Sequence, residues 1–241
     1  SERAYPVTYL LHGYGDADDG WIQFGEINRL ADEAIATGKI PPMIIVTPDG
    51  FQSFYINSGD GKTKYEDFFV KELIPHIEKN FKVKSEKRFR GIAGLSMGGF
   101  GSLILSLKHP DLFAAAAPLS AAVWSDNDII NLDKGMYNTL FAKSMGENLV
   151  GKDRLTETYL ENSPFNYIQK KTKEELSKVR YWIDCGDDDF LTAGNALLHI
   201  ELVKKNVPHE FRMRDGGHNW TYWRTGIIDA LSFIGDSFHQ K

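Results

Sequence analysis

The chain has 241 residues, of which 42% are hydrophobic and 25% charged, so it has the composition of a folded domain and not that of a disordered chain. Its net charge of −5 comes from 28 basic and 33 acidic residues that are interspersed, which excludes nucleic acid as an expected partner. No apolar run approaches the ~20 residues needed to cross a membrane, so no membrane partner is expected. The single cysteine, Cys185, excludes an internal disulfide.

Strand-like and helix-like patterns alternate along the chain. Apolar runs predict strands at 5–11, 43–47, 88–93, 113–119, 179–185 and 210–214, and helical patterns lie between them at 27–37, 65–80, 98–109, 193–206 and 221–238. Most of the runs are nearly continuous, which is typical of strands buried on both faces of a parallel sheet. We therefore predict one domain over 1–241 with a mostly parallel, doubly wound α/β sheet and helices on both faces.

The alternation lapses between residues 120 and 164, where aromatic residues lie among polar ones. This stretch is too long for a plain connection, so we interpret it as an inserted cap or substrate-pocket segment.

The pentapeptide Gly94-Leu95-Ser96-Met97-Gly98 matches the pattern G-x-S-x-G. It follows a predicted buried strand and opens a predicted helix. The glycines avoid Cβ clashes in a very sharp turn, and a helix N-terminus favours developing negative charge. This setting resembles the nucleophile elbow of α/β hydrolases and predicts Ser96 as a nucleophile.

A serine hydroxyl needs a general base, and in α/β hydrolases the chain order is serine, acid, histidine. His218 fits because it follows the last predicted strand in a glycine-rich loop at the carboxyl edge of the sheet. The other histidines precede Ser96, lie too close to it in sequence, or fall within a helix, at a strand entry or at the terminus: His12, His76, His109, His199, His209 and His239.

Three consecutive aspartates compete for the role of the acid that orients His218. In α/β hydrolases the acid commonly falls three residues after a strand-ending glycine, which favours Asp189 because Gly186 ends the preceding strand. Asp188 is the next alternative. Asp187 or Asp188 would otherwise be a solvated loop charge or a helix cap.

Two backbone N–H groups are expected to bind the oxyanion of the tetrahedral intermediate. One belongs to Met97, the residue after the nucleophile, and the other to the loop after the first strand. We assign this second donor to Tyr14, with Gly15 as the alternative. His12 then braces the loop.

Aromatic residues cluster around the predicted site and would offer an aromatic acyl group stacking and apolar contact. We predict substrate contacts for Trp124, Trp220 and Phe190 and assign Trp223 to the core. Cys185 is interpreted as a small buried apolar residue. No metal site is predicted, because no acidic loop supplies a full ligand set.

Four segments occur in an order that covers nearly the whole chain: Tyr9-Leu10-Leu11-His12-Gly13, Pro42-Met43-Ile44-Ile45-Val46, Gly94-Leu95-Ser96-Met97-Gly98-Gly99 and Gly216-Gly217-His218-Asn219-Trp220. Together they resemble the esterase D-like α/β hydrolases, and most closely carbohydrate esterase family one, the feruloyl and acetyl xylan esterases. The resemblance implies ester hydrolysis through an acyl-enzyme with no metal or organic cofactor. It also implies an acid at Asp189, an oxyanion hole at Tyr14 and Met97, and an inserted segment after the sixth family strand.

We therefore expect a secreted or periplasmic serine carboxylesterase that releases feruloyl groups from plant cell-wall polysaccharide, as one module of a larger carbohydrate-active enzyme. The alternatives are an acetyl xylan esterase and an S-formylglutathione-type thioesterase. Thioesterases of that group usually carry a cysteine near the oxyanion loop, where this chain has Gly15-Asp16. Outside enzymes, the alternative is an inactive carbohydrate-binding module.

Family members carry a small antiparallel hairpin before the strand equivalent to 5–11. The chain begins at Ser1 with that strand only a few residues away. We expect an N-terminal piece to be missing here, because an exposed sheet edge would otherwise remain.

Overall fold

Six parallel strands form the centre of the computed structural model, which describes residues 3–239. They are β1 Val7–Leu11, β2 Ile44–Val46, β3 Arg90–Leu95, β4 Ala115–Leu119, β5 Arg180–Gly186 and β6 His209–Arg214. Their spatial order is β2-β1-β3-β4-β5-β6, and every neighbouring pair is parallel. Each strand falls on a predicted apolar run, so the predicted α/β sheet is confirmed. Of the domain predicted over 1–241, residues 1, 2, 240 and 241 lie outside the described part.

The predicted helices are also present. They are α2 Ile27–Ala36, α3 Tyr65–Phe68 continuing through a π-helical turn Phe69–Leu73 into α4 Ile74–Asn80, α5 Met97–Lys108, α12 Thr192–Lys204 and α13 Trp220–Ser237. A short helix that the sequence did not indicate, α1 Gly20–Gln23, precedes α2.

Apolar layers cover both faces of the sheet. Side chains alternate along a strand, so neighbouring residues of β1 pack into different layers. Tyr9 joins the layer beneath α5 and α12, whereas Leu10 joins the layer beneath α2 and α13. Burial on both faces explains the continuous apolar runs in the sequence.

The segment between β4 and β5 is helical. It contains α6 Asp126–Asn131, α7 Lys134–Leu140, α8 Ala142–Met145, α9 Glu157–Asn162, α10 Pro164–Lys170 and α11 Lys173–Leu176, with a 3-10 turn at Gly151–Arg154. The buried guanidinium of Arg154 donates to the carbonyl oxygens of Leu149 and Ile129, both at 3.0 Å, and lies 4.5 Å from the ring centre of Tyr137. One side chain thereby joins several short helices that have little stability of their own.

The sheet order reverses between β1 and β3, and in such sheets the crevice beyond the carboxyl ends of the strands is where ligands bind. The loops after β1, β3, β5 and β6 all reach this edge. Within residues 3–239, no helix has the length and apolarity that a membrane crossing requires.

Candidate active site

Ser96 lies in the turn between β3 and α5 with φ 55° and ψ −115°, a backbone conformation that is rare for residues other than glycine. Its N–H donates a 3.0 Å hydrogen bond to the carbonyl of Leu119 at the end of β4. Gly98 is needed here, because a Cβ at this position would approach the carbonyl oxygen of His12 to 2.6 Å. These neighbours hold the backbone of Ser96 in its strained conformation, and this conformation places the Ser96 hydroxyl at the carboxyl edge of the sheet.

A continuous hydrogen-bonded chain joins three side chains from three loops. The Nε2 atom of His218 lies 3.0 Å from the Oγ of Ser96, and its Nδ1 atom lies 2.8 Å from the Oδ2 of Asp189. Asp189 and His218 come from the loops after β5 and β6, which are neighbours in the sheet. The structure therefore brings together the three residues predicted for the triad.

Asp189 is almost completely buried, and its surroundings favour the carboxylate. Burial acts to raise its pKa, but hydrogen bonds from the His218 ring and from the N–H of Leu191, the latter at 2.8 Å, outweigh it. The net effect lowers the pKa of Asp189 below its ordinary value. The group is thus a fixed negative charge that can stabilise a protonated imidazole.

Asp187 and Asp188 take a different place, although the sequence left them as alternatives for the acid. Both are exposed, and each connects to Gly216 in the neighbouring loop: the Gly216 N–H donates to Asp187 at 3.1 Å, and the Asp188 N–H donates to the Gly216 carbonyl at 3.1 Å. They join the loop that carries Asp189 to the loop that carries His218.

Two other reactive features lie near this loop. The carboxylates of Asp187, Asp188 and Asp215 come within 4.8 Å of one another, but all three are exposed, and exposed acidic groups are common without an ion. Cys185 is buried, and burial raises the pKa of its thiol to about 12, so the thiol is protonated and unreactive at neutral pH.

Met97 and the loop that carries Tyr14, which are predicted to form the oxyanion hole, lie beside Ser96. Met97 is the first residue of α5, where N–H groups of the first turn have no intrahelical acceptor. The loop that carries Tyr14 passes close to the nucleophile, since a Cβ at Gly13 would lie 3.6 Å from the Cβ of Ser96. The backbone of this loop can therefore reach an oxygen bound at the serine.

His12 holds that loop in place. Its Nε2 accepts the N–H of Gly50 at 2.7 Å, so the proton is on Nδ1, which donates to the carbonyl of Gly13 at 2.8 Å. The hydroxyl of Tyr55 donates to the His12 carbonyl at 3.0 Å. The ring thus connects the oxyanion loop to the loop after β2.

Two contacts to the inserted segment were not predicted. The Tyr14 hydroxyl donates to the carbonyl of Thr139 in α7 at 2.7 Å. The buried amide of Asn195 in α12 pairs with the backbone of Ala121, accepting its N–H at 3.2 Å and donating to its carbonyl at 2.9 Å. Both contacts join residues more than 70 positions apart, so no local pattern in the sequence could reveal them.

Two cavities adjoin the loops of the site, one at Phe190 and Leu191 and the other at Gly15 and Asp16. One of 400 Å³ is lined by Trp124 and Phe190, and its other apolar side chains are Val123, Leu132, Met136, Leu191 and Ala193. The Phe190 ring is 73% exposed, and its centre lies 4.6 Å from that of the His218 ring. The second cavity, of 510 Å³, is lined by Gly15, Asp16, Asp49, Phe51, Gln52, Ser53, Ile56, Ser58, Thr63, Lys143 and Ser144.

Trp220 was predicted to contact substrate, but it lines neither cavity. Its ring packs edge-on against Trp21 at 5.2 Å and against Trp223 at 5.4 Å, on the α2 and α13 side of the sheet. Trp220 begins α13 and is only partly buried, so its contact with substrate stays a prediction.

A doubly wound parallel sheet, with a serine at a strained strand-to-helix turn and a histidine–aspartate pair from two later loops, defines the α/β-hydrolase class. The Esterase family model matches residues 1–234, and the chain belongs to this family. The resemblance to esterases stated from the sequence is thereby confirmed.

Individual relatives agree with this family. The endo-1,4-β-xylanase/feruloyl esterase of Xylanibacter ruminicola is 37% identical over 131 residues, which cover 53% of this chain and 18% of that protein. An esterase of Mycobacterium tuberculosis is 30% identical over 235 residues, or 90% of this chain and 49% of that protein. A solved ferulic acid esterase is 33% identical with a TM-score of 0.82, covering 98% of this chain and 87% of that one. The chain spans less than half the length of the first two relatives.

Proposed function

We propose that this chain hydrolyses ester-linked feruloyl groups of plant cell-wall polysaccharide through an acyl-enzyme on Ser96. The observation that carries the proposal is the hydrogen-bonded chain from Ser96 through His218 to Asp189, with the exposed ring of Phe190 against His218. The similarity to a xylanase/feruloyl esterase and to a solved ferulic acid esterase supports the choice of acyl group.

Acylation begins when His218 Nε2 takes the proton of the Ser96 hydroxyl and the Oγ attacks the ester carbonyl carbon. Asp189 retains its hydrogen bond to Nδ1 and stabilises the imidazolium. The carbonyl oxygen becomes an oxyanion that accepts hydrogen bonds from the N–H groups of Met97 and Tyr14. His218 then gives its proton to the sugar oxygen, and the C–O bond breaks.

Deacylation repeats these steps with water as the nucleophile. His218 takes a proton from the water, the resulting hydroxide attacks the acyl carbon, and the same two N–H groups bind the second oxyanion. Proton return to the Oγ of Ser96 releases ferulic acid and restores the free enzyme. The reaction consumes one ester and one water, and no cofactor takes part.

We place the acyl group in the 400 Å³ cavity between Trp124 and Phe190, which is within the size range of ligand pockets. Four polar side chains also line this cavity, and each makes a hydrogen bond within the inserted segment: Asn127, Asp128, Asn131 and Asp133. The free surfaces that remain for a ligand are mostly aromatic and aliphatic, which suits a flat cinnamoyl ring.

The same proposal places the enzyme outside the cytoplasm, acting on xylan as part of a longer carbohydrate-active protein. The support is the relative that combines xylanase and feruloyl esterase in one name and of which this chain matches only a part. Feruloyl esters of xylan are found in the plant wall, so an enzyme that uses them must meet them outside the cell.

The test compares kcat/KM for methyl ferulate, acetylated xylan and S-formylglutathione. We expect methyl ferulate to be preferred, because the cavity beside His218 is aromatic. A preference for the thioester would contradict the plant-wall assignment, and a preference for acetylated xylan would favour the acetyl xylan esterase alternative.

A second measurement tests the nucleophile. The wild type should release a burst of product from p-nitrophenyl acetate, and Ser96→Ala should abolish it. Ser177→Ala is the matched control, because Ser177 is exposed at the end of α11. A folded wild type without activity toward any of these esters would support the inactive carbohydrate-binding module instead.

A further inference from the structure

The 510 Å³ cavity adjoins the loop predicted to form the oxyanion hole. Gly15 and Asp16 of the oxyanion loop form part of its wall. A Cβ added at Gly13 would lie 3.4 Å from the Asp16 carboxylate and 3.6 Å from the Cβ of Ser96. This loop therefore connects the cavity to the nucleophile.

The wall of the 510 Å³ cavity is rich in polar side chains. Most of its side chains carry hydrogen-bonding groups: Asp16, Asp49, Gln52, Ser53, Ser58, Thr63, Lys143 and Ser144. The Lys143 ammonium has three N–H donors, and one of them bonds to the Gln52 side chain at 2.9 Å. Carboxylates that accept and an ammonium that donates are the partners that sugar hydroxyls need.

Phe51 adds an apolar surface to this polar wall. Its side chain is 67% exposed, and its backbone has φ 49°, in the left-handed region. The N–H of Phe51 is held by the Asp49 carboxylate at 2.7 Å, and the Ser53 hydroxyl closes the same turn on the Gly50 carbonyl at 2.7 Å. Phe51 therefore presents an exposed ring at the cavity wall from a turn whose backbone is fixed by these hydrogen bonds.

We propose that the cavity around Phe51 and Lys143 binds the sugar that leaves when the ester is cleaved, with the ring of Phe51 against the sugar face. This inference rests on the proposed function, which places the acyl group at Trp124 and Phe190. An ester has two sides, so the alcohol lies across Ser96 from the acyl group. Asp16 and Asp49 outnumber Lys143, and the negative balance selects a neutral pentose or hexose over an anionic leaving group.

The experiment measures a ratio, namely kcat/KM for a feruloylated arabino-oligosaccharide divided by kcat/KM for methyl ferulate. Phe51→Ala and Lys143→Ala should each lower this ratio about tenfold, as expected when one stacking or charged contact to the leaving group is lost. Phe81→Ala and Lys79→Ala are matched controls on α4 and its end, and they should keep the wild-type ratio. A wild-type ratio in both cavity variants would overturn the proposal, as would an equal loss on both substrates.

The same ratio is measured with acetyl esters, using an acetylated arabino-oligosaccharide and methyl acetate. If the wild type cleaves acetyl but not feruloyl esters, the proposed acyl group is wrong, while the ratio still tests the sugar site. If it cleaves both and the ratio does not respond to Phe51→Ala or Lys143→Ala, the sugar site alone is wrong.

Discussion

The indole N–H of Trp223 donates a 3.0 Å hydrogen bond to the hydroxyl of Ser120, 103 positions earlier in the chain. The same indole packs edge-on against His218, with ring centres 4.9 Å apart and an interplanar angle of 88°. Ser120 is buried just after β4 with φ 43°, and its hydroxyl is among the groups that lower the pKa of Asp189. One indole thus contacts the base and anchors a residue beside the acid.

Trp223→Phe keeps an aromatic ring against His218 but removes the N–H that holds Ser120. The loss of one buried hydrogen bond, worth roughly 1–1.5 kcal/mol, should lower kcat about tenfold if it disturbs the acid. KM should change little, because Trp223 is buried and lines neither cavity. Steady-state kinetics with methyl ferulate measures both constants.

Trp182→Phe is the control for that substitution. Trp182 is also buried in the layer beneath α13, but its ring nitrogen has no hydrogen-bond partner among residues 3–239. Replacing it removes a similar volume and no hydrogen bond. Equal kcat values for the two variants would show that the N–H of Trp223 does not matter.

Asp189→Asn should lower kcat by about 10⁴-fold, because an amide cannot stabilise the imidazolium and favours the wrong tautomer of His218. Asp188→Asn, one residue earlier and exposed, should change kcat less than about threefold, since a surface charge contributes little. Circular dichroism is the control and should show that both variants fold. A large loss in Asp188→Asn with a small one in Asp189→Asn would reverse the assignment of the acid.

Phe190→Ala should change the choice of acyl group. Loss of an aromatic contact of about 1 kcal/mol should lower the ratio of kcat/KM for methyl ferulate over methyl acetate by roughly fivefold. Phe81→Ala removes another ring that is about half exposed, 53%, and should keep the ratio. If Phe190→Ala leaves the ratio at the wild-type value, the acyl group does not lie against this ring.

His199 should make stability depend on pH. Burial, and secondarily the neighbouring His209 at 2.7 Å, lower the pKa of His199 below 6.5. The unfolded chain therefore binds more protons than the folded chain below about pH 6.5, so this group makes the free energy of unfolding fall as the pH drops.

His199→Gln should reduce that dependence, measured as the difference in urea-unfolding free energy between about pH 5 and pH 7.5. His76→Gln, at an exposed histidine of α4, is the control and should behave as the wild type. The same pH dependence in the wild type and in His199→Gln would contradict the role of the His199–His209 pair.

The strands, the main helices and the position of Ser96 could all be predicted from the sequence, because local patterns determine them. Continuous apolar runs mark strands that are covered on both faces, and the glycines around Ser96 mark a turn that other residues cannot adopt. The helices of the inserted segment are short and depend on caps and on Arg154, so the sequence pattern was too weak to predict them.

Tertiary structure decided which aspartate faces His218 and which aromatic rings line a cavity. Asp187, Asp188 and Asp189 are chemically identical in sequence, and only the path of the loop after β5 buries the third against the histidine. Trp220 and Phe190 looked equivalent beside the triad, yet one packs on Trp21 and the other lies open to solvent.

By itself, the sequence determined the fold class, the nucleophile and the histidine, since these depend on patterns within a few residues or on chain order. The sequence favoured Asp189 as the acid and left Asp188 open, and the tertiary structure alone decided the contact that separates them, the link from Trp223 through Ser120 and the two cavities. The physical reason is distance along the chain: each of these features is formed by side chains from different loops, and only the packing of the sheet brings those loops to one edge.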